Sequence, residues 1–264
     1  KTAIYEEFDF EINSNKIDEP QFDNELSILS VVGENMKKTR GISGKFFSAL
    51  GKNGINIIAI AQGSSELNIS AVIERNELSK ALNVVHDSLL LSPVKTFNVM
   101  FAGTGNIGKE LFRQLEREQR NLEENHQIKI NVVGITNSRE MKIFDNPESD
   151  FDLNNNINTN LQKLDLKEFI NSISSKNLPN LVFVDNTSSE DVVAEYSLLF
   201  NNNISIVTCN KKGNSSSYEQ YSKFKRLAKK NNVSFLYETN VGAGLPIIKT
   251  LNDLWISGDE ILKI

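Results

Sequence analysis

The residues whose types and spacing could do chemistry begin with three glycines, Gly103, Gly105 and Gly108, in a G-x-G-x-x-G pattern. They follow the apolar run FNVMFA and lead directly into the amphipathic stretch KELFRQLEREQ, so the segment reads as strand, tight turn, helix. Each glycine has a physical task in such a unit. Gly103 permits the sharp turn, Gly105 lets the backbone approach a pyrophosphate, and Gly108 allows close packing of helix on strand. The helix N-terminus then offers free N–H groups and the positive end of its dipole to phosphate.

Further polar groups stand at the ends of other apolar runs. In NLVFVDNTSSEDVVAEYSLLF, Thr187 and Ser188 fall in a turn at the carboxyl end of a strand, where open α/β sheets bind ligands, with Ser188 or Ser189 capping the next helix. In ISIVTCNKKGNSSSYEQYSKFKRLAKK, Lys211 and Lys212 follow a strand and could screen a phosphate or polarise a carbonyl; they also read as a solvated pair. Glu238 ends a strand ahead of the turn NVGAGLP, and a carboxylate beside backbone carbonyls is how a hard cation is held; the alternative is a solvated or helix-capping acid. The strand IKINVVGITNS ends at Thr136, Asn137, Ser138 and Arg139, with no carboxylate for an adenosine 2′-hydroxyl. A small polar pair followed by arginine suits a 2′-phosphate, which favours NADP over NAD, although Arg139 also reads as a solvated loop residue.

These groups need a frame, and the composition supplies one. With 264 residues, 39% hydrophobic, the chain has material for one large domain or two ordinary ones. A net charge of −5 and the absence of a dense Lys/Arg stripe argue against a nucleic-acid partner and for a small-molecule substrate. The single cysteine, Cys209, excludes an intramolecular disulfide and a Cys-based zinc site, and His86 and His126 share no ligand spacing. No signal peptide opens the chain and no apolar run approaches the roughly 20 residues of a membrane span, so the expectation is no membrane and a cytoplasmic location. The chain starts at Lys1 rather than Met and ends in DEILKI, which looks like a strand just starting, so it reads as a piece of something longer.

Upstream of the glycines, residues 1–24 read as a polar connector with FDFEI a short strand. LSILSVVG is an apolar strand, GISGKFFSALGKNG a helix with a glycine cap, INIIAIAQ a buried strand and LNISAVIE its hairpin partner. NELSKALNVVHDSLL places Leu78, Ala81, Leu82, Val85 and Leu89 on one helical face behind a cap at Asn76. Pro93 marks the domain boundary, the helix after the glycine turn runs to about Asn121, and the Asn-rich residues 140–163 form a polar surface excursion.

The order strand, helix, strand, strand, helix, and VVGENMKKTRGISGKFFSALGKNGINIIAIAQGSSELNIS within it, resembles the second ACT domain of aspartate kinases. That resemblance implies an amino-acid effector site with Ile60 and Gln62 as contacts, the glutamine offering both donor and acceptor. VDNTSS, TCNKKGNSSS and YETNVGAGLPII look like the cofactor domain of homoserine dehydrogenase, and the two together resemble the bifunctional aspartate kinase/homoserine dehydrogenase family from about Leu26 to Ile264. The fold class implied is α/β, a Rossmann-type doubly wound parallel sheet preceded by a small α+β ACT domain. The domains would be a connector at 1–24, ACT at 25–94, the dinucleotide domain at 95–257 and the start of a substrate domain at 258–264.

The resemblance further implies NADP contacts at Gly105, Asn106 and Ile107, at Thr187 and Ser188, and at Lys211 or Lys212. It implies a sodium-like monovalent cation on Glu238 and the carbonyls of Val241, Ala243 and Leu245. The implied reaction is hydride transfer between NADP(H) and the couple aspartate semialdehyde/homoserine, with threonine as effector and a homo-oligomer as the assembly. The family's kinase domain and its proton-transferring substrate domain are absent from this sequence, so the chain alone is expected to turn over no homoserine. The competing reading is a non-catalytic amino-acid sensor with a nucleotide-binding partner domain.

Overall fold

The computed structural model describes residues 1–33, 36, 39–63, 67–89, 94–148, 161–260 and 262; Pro93, the Asn-rich run at 154–156 and the end of DEILKI lie outside them. Two compact units form, one from residues 1–40 and 56–78, the other from 41–55 and 79–264.

The smaller unit opens with two short helices, α1 (Thr2–Glu7) and α2 (Asp9–Asn13), neither of which buries a residue. FDFEI is therefore helical and not a strand. Local bonds satisfy it, with Ile12 N–H donating to the Phe8 carbonyl at 3.0 Å and Asn13 Nδ2 to Asp9 Oδ1 at 2.9 Å. Strands β1 (Leu26–Val32), β2 (Ala59–Gln62) and β3 (Asn68–Glu74) make an antiparallel sheet in the order β1-β3-β2. Central β3 alternates, burying Ile69, Ala71 and Ile73. INIIAIAQ is not a buried strand: only Ile55 is buried, Ile58 is 48% and Ile60 59% exposed, and β2 is an exposed edge. Ile60 is thus no core residue, and Gln62 beside it is also exposed.

In the larger unit, α3 (Ile42–Lys52) buries Phe46, Ala49 and Leu50 and ends at Gly54, whose φ of +72° makes the expected glycine cap. Helix α4 (Leu78–Leu89) buries Ala81, Val84 and Val85 while Leu82 is 51% exposed, so its inward face lies to one side of the predicted stripe. Asn76 sits inside a 3₁₀ turn, Arg75–Glu77, instead of capping the helix.

The rest is one seven-stranded sheet. Its strands are β4 (Lys95–Ala102), β5 (Ile128–Thr136), β6 (Glu140–Glu148), β7 (Gln162–Lys163), β8 (Leu181–Asp185), β9 (Ser205–Thr208) and β10 (Phe235–Leu236), in the order β10-β9-β8-β4-β5-β6-β7. The β10-β9-β8-β4-β5 run is parallel, and β6 and β7 add antiparallel. Residues 140–148 are therefore sheet and not a surface excursion, with Met141 buried against the core. Helices cover both faces. Val99 and Phe101 meet Phe112 of α5 (Asn106–His126), which runs five residues beyond Asn121. Met100 and Ala102 face Phe169, Ile170 and Ile173 of α6 (Leu166–Ser174), and an aromatic group made by Tyr196 and Phe200 of α8 (Tyr196–Asn201), Phe224 of α10 (Tyr218–Lys230) and Phe235 closes the same side. Alternate residues of β4 thus feed two cores, which is why residues 99–102 are a continuous apolar run.

Gly134 in β5 sits at the point where pairing with β6 shifts register. A Cβ there would lie 2.6 Å from Ile173 Cδ1 and 2.7 Å from Phe169 Cε2. Gly134→Ala should therefore destabilise the protein by about 1–3 kcal/mol through overpacking. Urea unfolding checks this, and a variant as stable as wild type would mean that α6 has room to move.

Candidate functional site

The sheet order makes β4 the reversal point: the chain passes from β4 to β5 on one side and later to β8, β9 and β10 on the other. Connections that leave in opposite directions open a crevice at the carboxyl ends of the strands between them. The glycine turn stands at that crevice. Asn186 N–H donates to the Ala102 carbonyl and Gly103 N–H to the Thr136 carbonyl, both at 2.8 Å, so β4 is held by both neighbours to its last residue. Gly103 then turns with φ +93°, and a Cβ on it would come within 3.0 Å of Thr187 Cγ2. A Cβ on Gly108 would sit 2.1 Å from the Gly103 carbonyl oxygen, so the third glycine packs the helix onto the turn itself. Around Gly105 a Cβ would meet nothing within 4 Å. Gly105 is also the N-cap of α5, with no side chain capping it, and Asn106 and Ile107 are exposed there. The N–H groups of that first turn therefore keep their capacity for an anion.

On one side of β4, the turn after β5 is built by Asn137, whose Oδ1 accepts from Arg139 N–H at 2.8 Å and Glu140 N–H at 2.9 Å. Ser138 and Arg139 are exposed at its tip. On the other side, the β8 turn is closed by Thr187 N–H donating to Asp185 Oδ1 at 2.8 Å and Ser189 N–H donating to Thr187 Oγ1 at 3.1 Å. Ser189 is the N-cap residue of α7 (Glu190–Ala194), without a side-chain capping bond. A cavity of about 580 Å³ lies between these turns, and Gly103, Asn137, Ser138, Thr187 and Ser188 all line it. Gly105, Asn106, Ile107, Gly108, Arg139, Lys211 and Lys212 do not. Lys211 is the N-cap of α9 (Lys212–Ser215), and the Lys212 ammonium is 2.9 Å from Glu190, an exposed pair that contributes little to stability. Hydrogen bonding to Lys212 and its positive charge hold the Glu190 carboxyl below its ordinary range.

Sequence reasoning missed the charged part of the lining: Asp165, Lys167, Asp191 and Glu195. Asp165 was findable, because Asp165 and Glu168 form a D-x-x-E capping-box pattern at the start of the helical stretch DLKEFINSI, and its Oδ1 accepts from Glu168 N–H at 3.0 Å. The Lys167–Glu195 pair, at 3.8 Å, joins elements far apart in the chain and leaves no local signal. Cys209 is not an activated thiol, since burial and the nearby Asp185 push its pKa up.

The Glu238 region differs from expectation in one respect. The strand ends at Leu236, and Glu238 opens a 3₁₀ turn, Glu238–Asn240. Glu238 Oε2 accepts from Lys249 N–H at 2.9 Å, in the first turn of α11 (Ile247–Ile256), so the acid does serve a helix N-terminus. Its other oxygen, Oε1, is buried with no partner. Nearby Ala243 holds φ +51°, a left-handed conformation that costs a non-glycine residue about 1–2 kcal/mol. The Leu245 carbonyl already accepts from Ile247 N–H at 2.9 Å. Among the described residues no group of three or more His, Cys, Asp or Glu could hold a metal ion, and no helix is long and apolar enough to cross a membrane.

Comparison with known proteins agrees with this geometry. Residues 29–89 match the ACT domain, and residues 103–238 match the homoserine dehydrogenase, NAD binding domain. The bifunctional aspartokinase/homoserine dehydrogenase of Buchnera aphidicola is 38% identical over 97% of this chain and 31% of its own length. The chloroplastic bifunctional aspartokinase/homoserine dehydrogenase 1 of Arabidopsis thaliana is 40% identical over 90% of this chain and 26% of its own. The chain thus spans about a third or less of the curated relatives it matches. Among solved structures, a protein of unknown function from Candida auris superposes with a TM-score of 0.55 at 30% identity, covering 63% of this chain and 45% of that one. With its glycine turn at the reversal point of a doubly wound sheet, and a family match over just over half its residues, the chain belongs to the homoserine dehydrogenase NAD-binding family and carries an ACT domain ahead of that module.

Proposed function

We propose that the chain is the regulatory and cofactor-binding region of an NADP-dependent homoserine dehydrogenase that interconverts aspartate semialdehyde and homoserine. The observation that carries this is the cavity at the strand-order reversal, lined by Gly103, Asn137, Ser138, Thr187 and Ser188 among others. Gly105 and the uncapped N-terminus of α5 receive the pyrophosphate, Asn106 and Ile107 approach it by their backbone, and Thr187 and Ser188 orient the far end of the dinucleotide. When NADP(H) is bound, the chemistry it supplies is hydride transfer. The protein's share is to bind it, fix its orientation and exclude water. Lys211 and Lys212 lie outside the cavity lining and act, in this reading, as nearby positive charge.

Arg139, exposed beyond the Asn137 turn, is the candidate for a 2′-phosphate. NADPH should bind more tightly than NADH by fluorescence titration, and Arg139→Ala should weaken NADPH binding roughly 10- to 150-fold, as expected for a charge-assisted hydrogen bond worth about 1.5–3 kcal/mol. Equal affinities for the two nucleotides in the wild-type protein would remove the case for NADP and leave NAD.

The buried, unpartnered Glu238 Oε1 suits a sodium-like ion, with the carbonyls of Val241, Ala243 and Leu245 as its further ligands. Leu245 fits least well, because its carbonyl already accepts a hydrogen bond. The melting temperature should be higher in sodium chloride than in choline chloride of equal ionic strength, and Glu238→Gln should erase the difference. A wild-type protein indifferent to the cation would rule this site out.

Exposed Ile60 and Gln62 on the β2 edge support an amino-acid effector site, with threonine the ligand proposed and a homo-oligomer the assembly. Threonine at about 100 times its Kd should stabilise the protein by about 2.7 kcal/mol, seen as a rise in melting temperature. A rise that survives Gln62→Ala unchanged, or no rise at saturation, would count against it.

A further inference from the structure

Beneath the two strand-end turns that follow β8 and β9 lies a buried polar knot whose members, Asp185, Tyr196, Thr208 and Asn210, are each no more than 3% exposed. Asp185 Oδ1 accepts from Thr187 N–H at 2.8 Å, while Oδ2 accepts from the Tyr196 hydroxyl at 2.7 Å and from Asn210 Nδ2 at 3.0 Å. The Tyr196 oxygen is also 2.9 Å from Thr208 Oγ1, which in turn accepts from Asn210 N–H at 2.9 Å. Asn210 reaches across to the neighbouring turn, donating through Nδ2 to the Ser189 carbonyl at 2.9 Å, and its Oδ1 accepts from Lys212 N–H at 3.2 Å.

The knot contains a carboxylate, and burying one is costly unless several donors meet it. Apolar side chains of similar volume often fill such a space with equal or greater stability. What distinguishes this knot is where its bonds end: on the backbone of the Thr187–Ser189 turn and on the backbone leading into Lys212. Tyr196 is a fixed donor, because burial and the Asp185 charge push its pKa far above the ordinary tyrosine value.

We propose that Asp185, Tyr196 and Asn210 are positioning residues for the dinucleotide, locking the β8 and β9 turns at one spacing so that Thr187 and Ser188 present a fixed surface to it. None of the three lines the cavity; they act through the turn that does. The inference rests on the cofactor reading above.

The test compares wild type with Asn210→Ala, with the smaller lesion Tyr196→Phe, and with Phe200→Leu, a core change on the same helix but outside the knot. Two readouts are needed: hydrogen–deuterium exchange of ligand-free protein over residues 186–189 and 209–213, and NADPH affinity by fluorescence titration. Losing the side-chain hydrogen bonds of Asn210 to Asp185, Ser189 and Lys212 should speed exchange of both turns about tenfold in Asn210→Ala and raise the NADPH Kd about tenfold, and losing the Tyr196 hydroxyl should raise it about threefold in Tyr196→Phe. Phe200→Leu keeps an apolar side chain beside the Tyr196 ring and breaks no hydrogen bond of the knot, so it should lower the melting temperature and leave the Kd within about twofold. NADPH affinity unchanged in both knot variants would overturn the positioning role. So would Phe200→Leu weakening NADPH as much as Asn210→Ala, since the effect would then be one of stability alone. Unchanged exchange in the turns of a protein whose wild type binds NADPH would remove the clamp and spare the cofactor reading. A wild-type protein that takes no NADPH would overturn both.

Discussion

The hydrogen bonds that grip β4 from both sides up to Ala102 and Gly103 are the constraint from which the rest of the site follows. A strand paired on both edges has no lateral exit, so the chain must leave over the top of the sheet. It does so through a residue with positive φ that also has Thr187 against it, and only glycine meets both demands. The helix that follows starts so close to the turn that position 108 has no room for a Cβ. The N-terminus of α5 is consequently delivered uncapped to the crevice between β5 and β8. Geometry forced by backbone pairing thus leaves the first N–H groups of α5 with the capacity to meet an anion.

The two edges of the parallel sheet are built by different means. At the edge where strands begin, Asn180, Asn203 and Asn232 precede β8, β9 and β10, each with φ between +49° and +57°. Asparagine, with its short polar side chain, is among the residues that tolerate that left-handed conformation, and at Asn180 the amide also ties two chain segments together, its Nδ2 donating to the Thr96 carbonyl at 2.9 Å. At the edge where strands end, the polar residues point inward to one another and to the turns. Asp185 is the extreme case, fully buried and met by the Thr187 amide, the Tyr196 hydroxyl and the Asn210 amide. The first edge returns the chain to the sheet, whereas the second holds loops still where a ligand would sit.

Much of this was legible in the sequence. The apolar runs at residues 97–102 and 181–185 and the three glycines fixed strand, turn and helix, because buried parallel strands and close backbone packing each leave a compositional mark. Other features left a misleading mark or none. FDFEI alternates like a strand, but no neighbouring strand pairs with it and the local helix satisfies its backbone. INIIAIAQ is apolar enough for a core strand, yet β2 lies at the edge of its sheet. Residues 140–148 look polar because β6 lies toward the antiparallel end of the large sheet, where only part of a strand needs to be buried.

The division between the two sources of information follows from the range of the forces involved. The sequence by itself determined the local chemistry: a glycine turn that must approach something closely, polar turns at strand ends, one acid before a glycine-rich loop, and no carboxylate after the second strand of the dinucleotide unit. These rest on neighbours within a few residues. Which of those groups share a cavity was decided only by the strand order, which puts β5 and β8 on opposite sides of β4 and leaves Lys211 and Lys212 outside the lining. Tertiary structure alone also brought Asp185, Tyr196 and Asn210 into contact across two turns. Pairing among elements distant in sequence has no local pattern to read, and only the folded sheet can place them within hydrogen-bonding distance.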